Sequence, residues 1–146
     1  AATFDVTCCG VEGDPLALAF LTPALNAIGA RPVPIDPAAK TLYHAAAVFA
    51  SNYLVTVLDA ALRAYQAAGI PEPVARELAQ PLVTEAVANV FRLGAAPALS
   101  GPIARGDSAT VQRQLQAVQQ WDAATGELYR ALVAPTQDLA RRKRGE

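Results

Sequence analysis

The stretch Lys40–Ala61, KTLYHAAAVFASNYLVTVLDAA, decides how the rest of the chain is read. It carries no glycine or proline, and its apolar and small side chains recur at helical spacing. Within residues 38–69 a helix of about 28 residues is expected, ending at Gly69 and about 42 Å long at 1.5 Å per residue. A small monomer cannot cover a helix of that length. Ala45, Ala46, Ala47 and Ala50 allow another backbone to approach closely, and Phe49, Tyr53, Leu54 and Leu58 supply bulk around them. This stretch is therefore expected to be a packing helix shared with a second subunit.

Around it the chain changes character. "TFDVTCCGV" has strand propensity and stops at "EGDP", where Asp14 can cap a helix whose first residue is Pro15. Gly29 can end that helix, and Pro23 is expected to kink it. "RPVPID" reads as a short second strand at a sheet edge, because prolines cannot donate to a ladder. Beyond Ala38 only helices are expected. One is kinked near Pro81 and ends at Gly94; "AAPALSGPIARGDS" is a loop. A helix follows, capped by Asp107 or Ser108, and then one or two more, interrupted by Pro135.

Composition limits the functions available. The chain has 146 residues, 53% of them hydrophobic, enough for one buried core. Net charge is −1, and the basic tail Arg141–Arg144 masks a body that is itself acidic, so no broad nucleic-acid surface is expected. No apolar run is read as a membrane span. Adjacent Cys8 and Cys9 lack zinc-ligand spacing and would form a strained disulfide, so they read as reduced, in a cytoplasmic protein, with no metal site. Neither G-x-G-x-x-G nor a P-loop is present.

Two clusters of polar residues remain. Lys40, His44 and Ser51 fall on one face of the long helix, with Asn52 bordering it. A lysine with a hydrogen-bonding neighbour one turn along can polarise a carbonyl or exchange a proton with an alcohol; the plainer reading is a lysine snorkelling at a helix start and a satisfied histidine. In "SGPIARGDS", Arg105 beside a helix N-terminus suggests anion or substrate binding, although most such loops only turn and cap.

In chain order, "VEGD", "KTLYHAAAVFASNYLVTVLDAA", "AGI", "PLVTEAVANV" and "LSGPIARGD" resemble the C-terminal part of an uncharacterised Rossmann-like oxidoreductase family. Its helical domain is related to those of pyrroline-5-carboxylate reductase, deazaflavin-dependent NADP oxidoreductases and 6-phosphogluconate dehydrogenase. The resemblance implies a mostly α fold: residues 1–37 as the last strand, helix and strand of a nucleotide-binding domain, and residues 38–146 as an all-helical dimerisation and substrate-side domain. It further implies NADP or NAD as cofactor of the whole protein, with no tight binding to this chain alone, and a homodimer. Lys40 and His44 become the catalytic candidates, with Ser51, Asn52 and Arg105 as substrate-binding candidates. His44 stands where asparagine is common in the relatives. The resemblance also makes the chain a C-terminal piece, in keeping with its lack of methionine. The alternatives are a non-catalytic helical homodimerisation or interaction module and, resting on residues 141–144 alone, a nucleic-acid binder.

Overall fold

The computed structural model describes residues 7–146. It is mostly helical, with a two-stranded parallel sheet at the N-terminal end, and divides into two compact units, Ala1–Val55 and Thr56–Glu146. Residues 3–6 of the expected first strand lie outside the described residues.

In the first unit, strand β1 (Cys8–Val11) pairs with β2 (Arg31–Pro34) across helix α1 (Pro15–Ala27). Asp14 caps α1, its Oδ1 accepting from the Leu16 and Ala17 amides at 3.0 and 2.9 Å, and Gly29 leaves the helix with φ 86°. Helix α1 continues through Pro23. The Arg31 and Ile35 amides donate to the Thr7 and Val11 carbonyls. Alternation along the strand then turns the Pro32 and Pro34 nitrogens away from β1, to a side that cannot donate to another strand. Among the described residues β2 is thus an edge, and the β1 side is the one left for further pairing. Both thiols are free.

A 3₁₀ turn (Pro37–Ala39), capped by Asp36 Oδ1 at 2.9 Å from the Ala38 amide, leads into α2 (Lys40–Val48). A π-helical turn (Phe49–Tyr53) and α3 (Leu54–Ala67) continue without interruption. The expected long helix is present, but with a widened turn that 3.6-residue periodicity does not reveal. By length and hydropathy Pro37–Ala67 could cross a membrane, so the reading that no stretch qualifies fails for this helix. Length and composition do not separate a membrane span from a helix whose apolar face is covered by protein, and Ser51 and Asn52 stand in its middle.

In the second unit, α4 (Glu72–Leu93) contains Pro81 and ends at Gly94, φ 88°. The expected loop at 95–108 instead holds two single-turn helices, α5 (Ala95–Ala98) and α6 (Gly101–Ala104), because Pro97 and Pro102 are compatible with first turns. Helix α7 (Ser108–Trp121) meets α8 (Ala123–Arg144) at a corner capped by Asp122, and α8 passes through Pro135 as one helix. Arg63 of α3 ties into this corner. Its guanidinium donates to Asp59 at 2.8 Å and Thr125 at 3.1 Å, lies 3.7 Å from Asp122, and sits 5.5 Å over the Trp121 ring.

The Asp107 and Asp122 carboxylates each accept a backbone N–H, from Thr110 at 3.0 Å and Thr125 at 2.6 Å. Both pKa values lie below the ordinary carboxylate value. For Asp107 the Thr110 hydroxyl is the first cause and its amide the second; for Asp122 the Thr125 amide leads. A lowered folded pKa means that the stabilisation is present above the ordinary value and disappears as pH falls through the lowered one. Asp122→Ala is therefore expected to lower Tm near neutrality, with the deficit shrinking in acid as pH falls below the ordinary carboxylate value of 3.8. Thermal melts of both proteins at the two pH values check this; an equal deficit at both would refute it.

The buried apolar residues are Ala30, Ala75, Ala79, Val111 and Ala140, and among the described residues no large side chain is fully buried. Even two separate globular bodies sharing 15.2 kDa would together expose only about 8,500 Å². The chain exposes 10441 Å². Leu16 (84%), Phe20 (82%), Leu42 (74%), Phe49 (69%) and Phe91 (87%) stand in solvent. The expectation of one self-sufficient core is not met.

Candidate functional site

Lys40 opens α2, where the helix dipole disfavours a cation. Its compensation comes from β1: Lys40 Nζ lies 2.5 Å from Glu12 Oε2, and the Glu12 side chain is only 27% exposed. Glu12 directly follows Val11, the last residue of β1, so this ion pair stands at the C-terminal ends of the two parallel strands. In open parallel sheets that is the end where ligands bind.

One turn along α2, Tyr43 packs down on β1. A Cβ at Gly10 would lie 2.3 Å from Ile35 Cδ1 and 2.6 Å from the Tyr43 hydroxyl. Only glycine leaves room for this approach, and the approach fixes the start of α2 against the strand. The Tyr43 ring in turn meets the exposed His44 edge-on, with centroids 5.7 Å apart at 76°. The first unit thus holds two neighbouring pairings, Glu12 with Lys40 and Gly10 with Tyr43 and His44, about one turn apart on α2.

Ser51 and Asn52 lie in the π turn. The Ser51 hydroxyl is 2.7 Å from the Ala47 carbonyl and 2.8 Å from Asn52 Oδ1, and its single proton serves one of them at a time. Lys40 and His44 keep their one-turn spacing in regular helix. The extrapolation onward to Ser51 uses a 100° step that the π turn breaks, so periodicity does not place Ser51 on their face.

Arg105 belongs to the second unit, at the end of α6. The helix N-terminus after it, suggested as an anion site, is already occupied by Asp107, which accepts from the Thr110 amide. The basic tail is engaged too. Lys143 donates to the Pro97 and Leu99 carbonyls at 3.1 and 2.7 Å, Arg141 and Arg142 pair with Asp138, and Arg144 pairs with Glu146.

The positive-φ glycines at 29, 69, 94, 101, 106 and 145 all lie at or beside helix ends, and none forms a strand-to-helix phosphate loop. Among the described residues no group of three His, Cys, Asp or Glu could hold a metal. Sequence reasoning missed Glu12, Gly10 and Tyr43. An acid immediately after a strand that feeds a helix was the available signal.

Solved structures share this architecture. The crystal structure of protein TM1727 from Thermotoga maritima is 27% identical, with a TM-score of 0.78, and the match covers 94% of this chain and 54% of that one. The structure described as "putative NADP oxidoreductase BF3122 from Bacteroides fragilis" is 24% identical, with a TM-score of 0.76, covering 94% and 51%. The chain thus spans about half the length of these proteins. No curated protein matches. The family model described as "Domain of unknown function (DUF2520)" matches residues 7–136, so the chain belongs to that family.

Proposed function

We propose that this chain is the dimerisation and substrate-side region of a cytoplasmic NAD(P)-dependent oxidoreductase, with Lys40 and His44 beside the substrate. The observation that carries the reading is the Lys40–Glu12 pair at the C-terminal ends of parallel strands, with His44 one helical turn from the lysine. The lysine ammonium can donate to a substrate carbonyl or alcohol oxygen, lowering the cost of charge at that atom, and His44 can exchange a proton beside it. The name carried by the Bacteroides fragilis structure points toward NADP. Since the described residues hold no phosphate loop, the reading places the cofactor on a nucleotide-binding domain that pairs with the open side of β1. Residues 1–37 are then the end of that domain and residues 38–146 the helical one. Ser51 and Asn52 are secondary substrate contacts in this reading, and Arg105, in the second unit, is a separate candidate for an anionic group.

A second reading, a homodimerisation module without chemistry, draws on the exposed apolar stripe of α2. One experiment separates the two. In the whole protein, NADPH oxidation is measured over a panel of carbonyl and imine compounds. Lys40→Ala is expected to lower kcat/KM about 100-fold or more without changing the circular dichroism spectrum. Unchanged turnover in that variant favours the second reading.

A further inference from the structure

Glu12 has no part in the capping that surrounds it. Asp14 holds the start of α1 and Asp36 the 3₁₀ turn, whereas Glu12 turns its carboxylate to Lys40. The pair does little for stability, because partly exposed ion pairs contribute about 0–1 kcal/mol, and the Lys40 side chain is 55% exposed. Nor does helix formation account for the lysine, which stands at the disfavoured end of the dipole. What the contact does is geometric. Lysine has four rotatable side-chain bonds and a long reach, and at this position it is anchored at both ends: its backbone by Tyr43 seated over Gly10, its ammonium by Glu12.

We propose that Glu12 is the positioning residue of the site: it holds the Lys40 ammonium at the strand ends, in the orientation from which it donates to the substrate oxygen. This rests on the reading of Lys40 given above. Glu12 itself does not touch the reacting atoms. A carboxylate already pairing with Lys40 also gives the site a balanced charge, so the reacting group it suits is a neutral carbonyl or alcohol and not a carboxylate, which Glu12 would repel.

The test uses the whole protein and two readouts. First, acetic anhydride labelling is followed by mass spectrometry at Lys40 and at Lys143, the other lysine of this chain, as internal reference. Glu12→Gln is expected to raise the relative labelling rate of Lys40 about threefold or more by releasing the ammonium, while Glu12→Asp stays near the parent. An unchanged Lys40 rate in Glu12→Gln overturns the proposal and leaves the oxidoreductase reading standing. Second, in the NADPH assay Glu12→Gln is expected to lower kcat about 10- to 100-fold with KM within about threefold, and Glu12→Asp to recover part of the loss. A change confined to KM, or a kcat loss that Glu12→Asp shares in full, overturns the positioning role. If Lys40→Ala keeps full turnover, the oxidoreductase reading fails, and the positioning role with it, whereas the labelling result still reports whether the pair exists.

Discussion

Gly126→Ala is expected to lower the melting temperature, although helix propensity alone says the opposite. Gly126 lies inside α8, where alanine is favoured over glycine by about 1 kcal/mol. It is also buried at the inside of the α7–α8 corner. A Cβ there would stand 2.5 Å from Gln119 Cγ and 2.9 Å from Gln119 Cα. The Cγ contact could be relieved by a rotamer change, but the Cα belongs to the backbone, so the two helices must part. Overpacking of this kind costs about 1–3 kcal/mol. The cost is compounded because the corner also holds Asp122, Thr125 and Trp121, the groups gathered around Arg63. The net expectation is a Tm lower by about 3–8 °C, read by differential scanning calorimetry of the whole protein. A rise in Tm would mean that the corner opens freely and that propensity decides.

Leu42→Glu combined with Phe49→Glu is expected to convert a dimer into a monomer. Leu42, Ala46, Phe49 and Tyr53 recur at intervals of four, three and four residues along α2 and its π turn, and all four are exposed. Burying a leucine or phenylalanine side chain contributes about 1.5–3 kcal/mol. A two-fold interface counts each contact twice, so the two positions would carry about 6–12 kcal/mol of association. Placing four carboxylates there removes that and adds desolvation. Light scattering at micromolar concentration should give twice the chain mass for the parent and the single-chain mass for the variant. A parent already of single-chain mass, or a variant that still dimerises, would refute the stripe as the contact.

The two tests bear on different parts of one problem: this chain has far more apolar surface than it can bury by itself. Residue pattern made the helices legible. Asp14, Asp107, Gly29, Gly69 and Gly94 mark ends that local chemistry dictates, and capping acts within a few residues. Pro135 was misleading as a break, since α8 runs through it. The cost of a proline inside a helix is a few kcal/mol, which the flanking turns can carry, so sequence alone overstates its power to interrupt. The π turn was invisible because periodicity assumes the geometry that the turn abandons.

The candidate site divides in the same way. Lys40 and His44 were legible because they lie one turn apart on one helix, a relation that helical geometry alone guarantees. Glu12 was not, because it reaches Lys40 only once a parallel strand crossover has brought residue 12 beside residue 40. Gly10 likewise has no sequence-level meaning until Tyr43 lies on top of it. By itself, then, the sequence determined the long helices and several of their caps, since these depend on interactions between near neighbours. Only the tertiary structure decided that Lys40 is held by an acid at the end of a strand, that Gly10 lies under Tyr43, and that no large side chain among the described residues finds full burial. Those depend on residues far apart in the chain meeting in space, and local propensity carries no information about that.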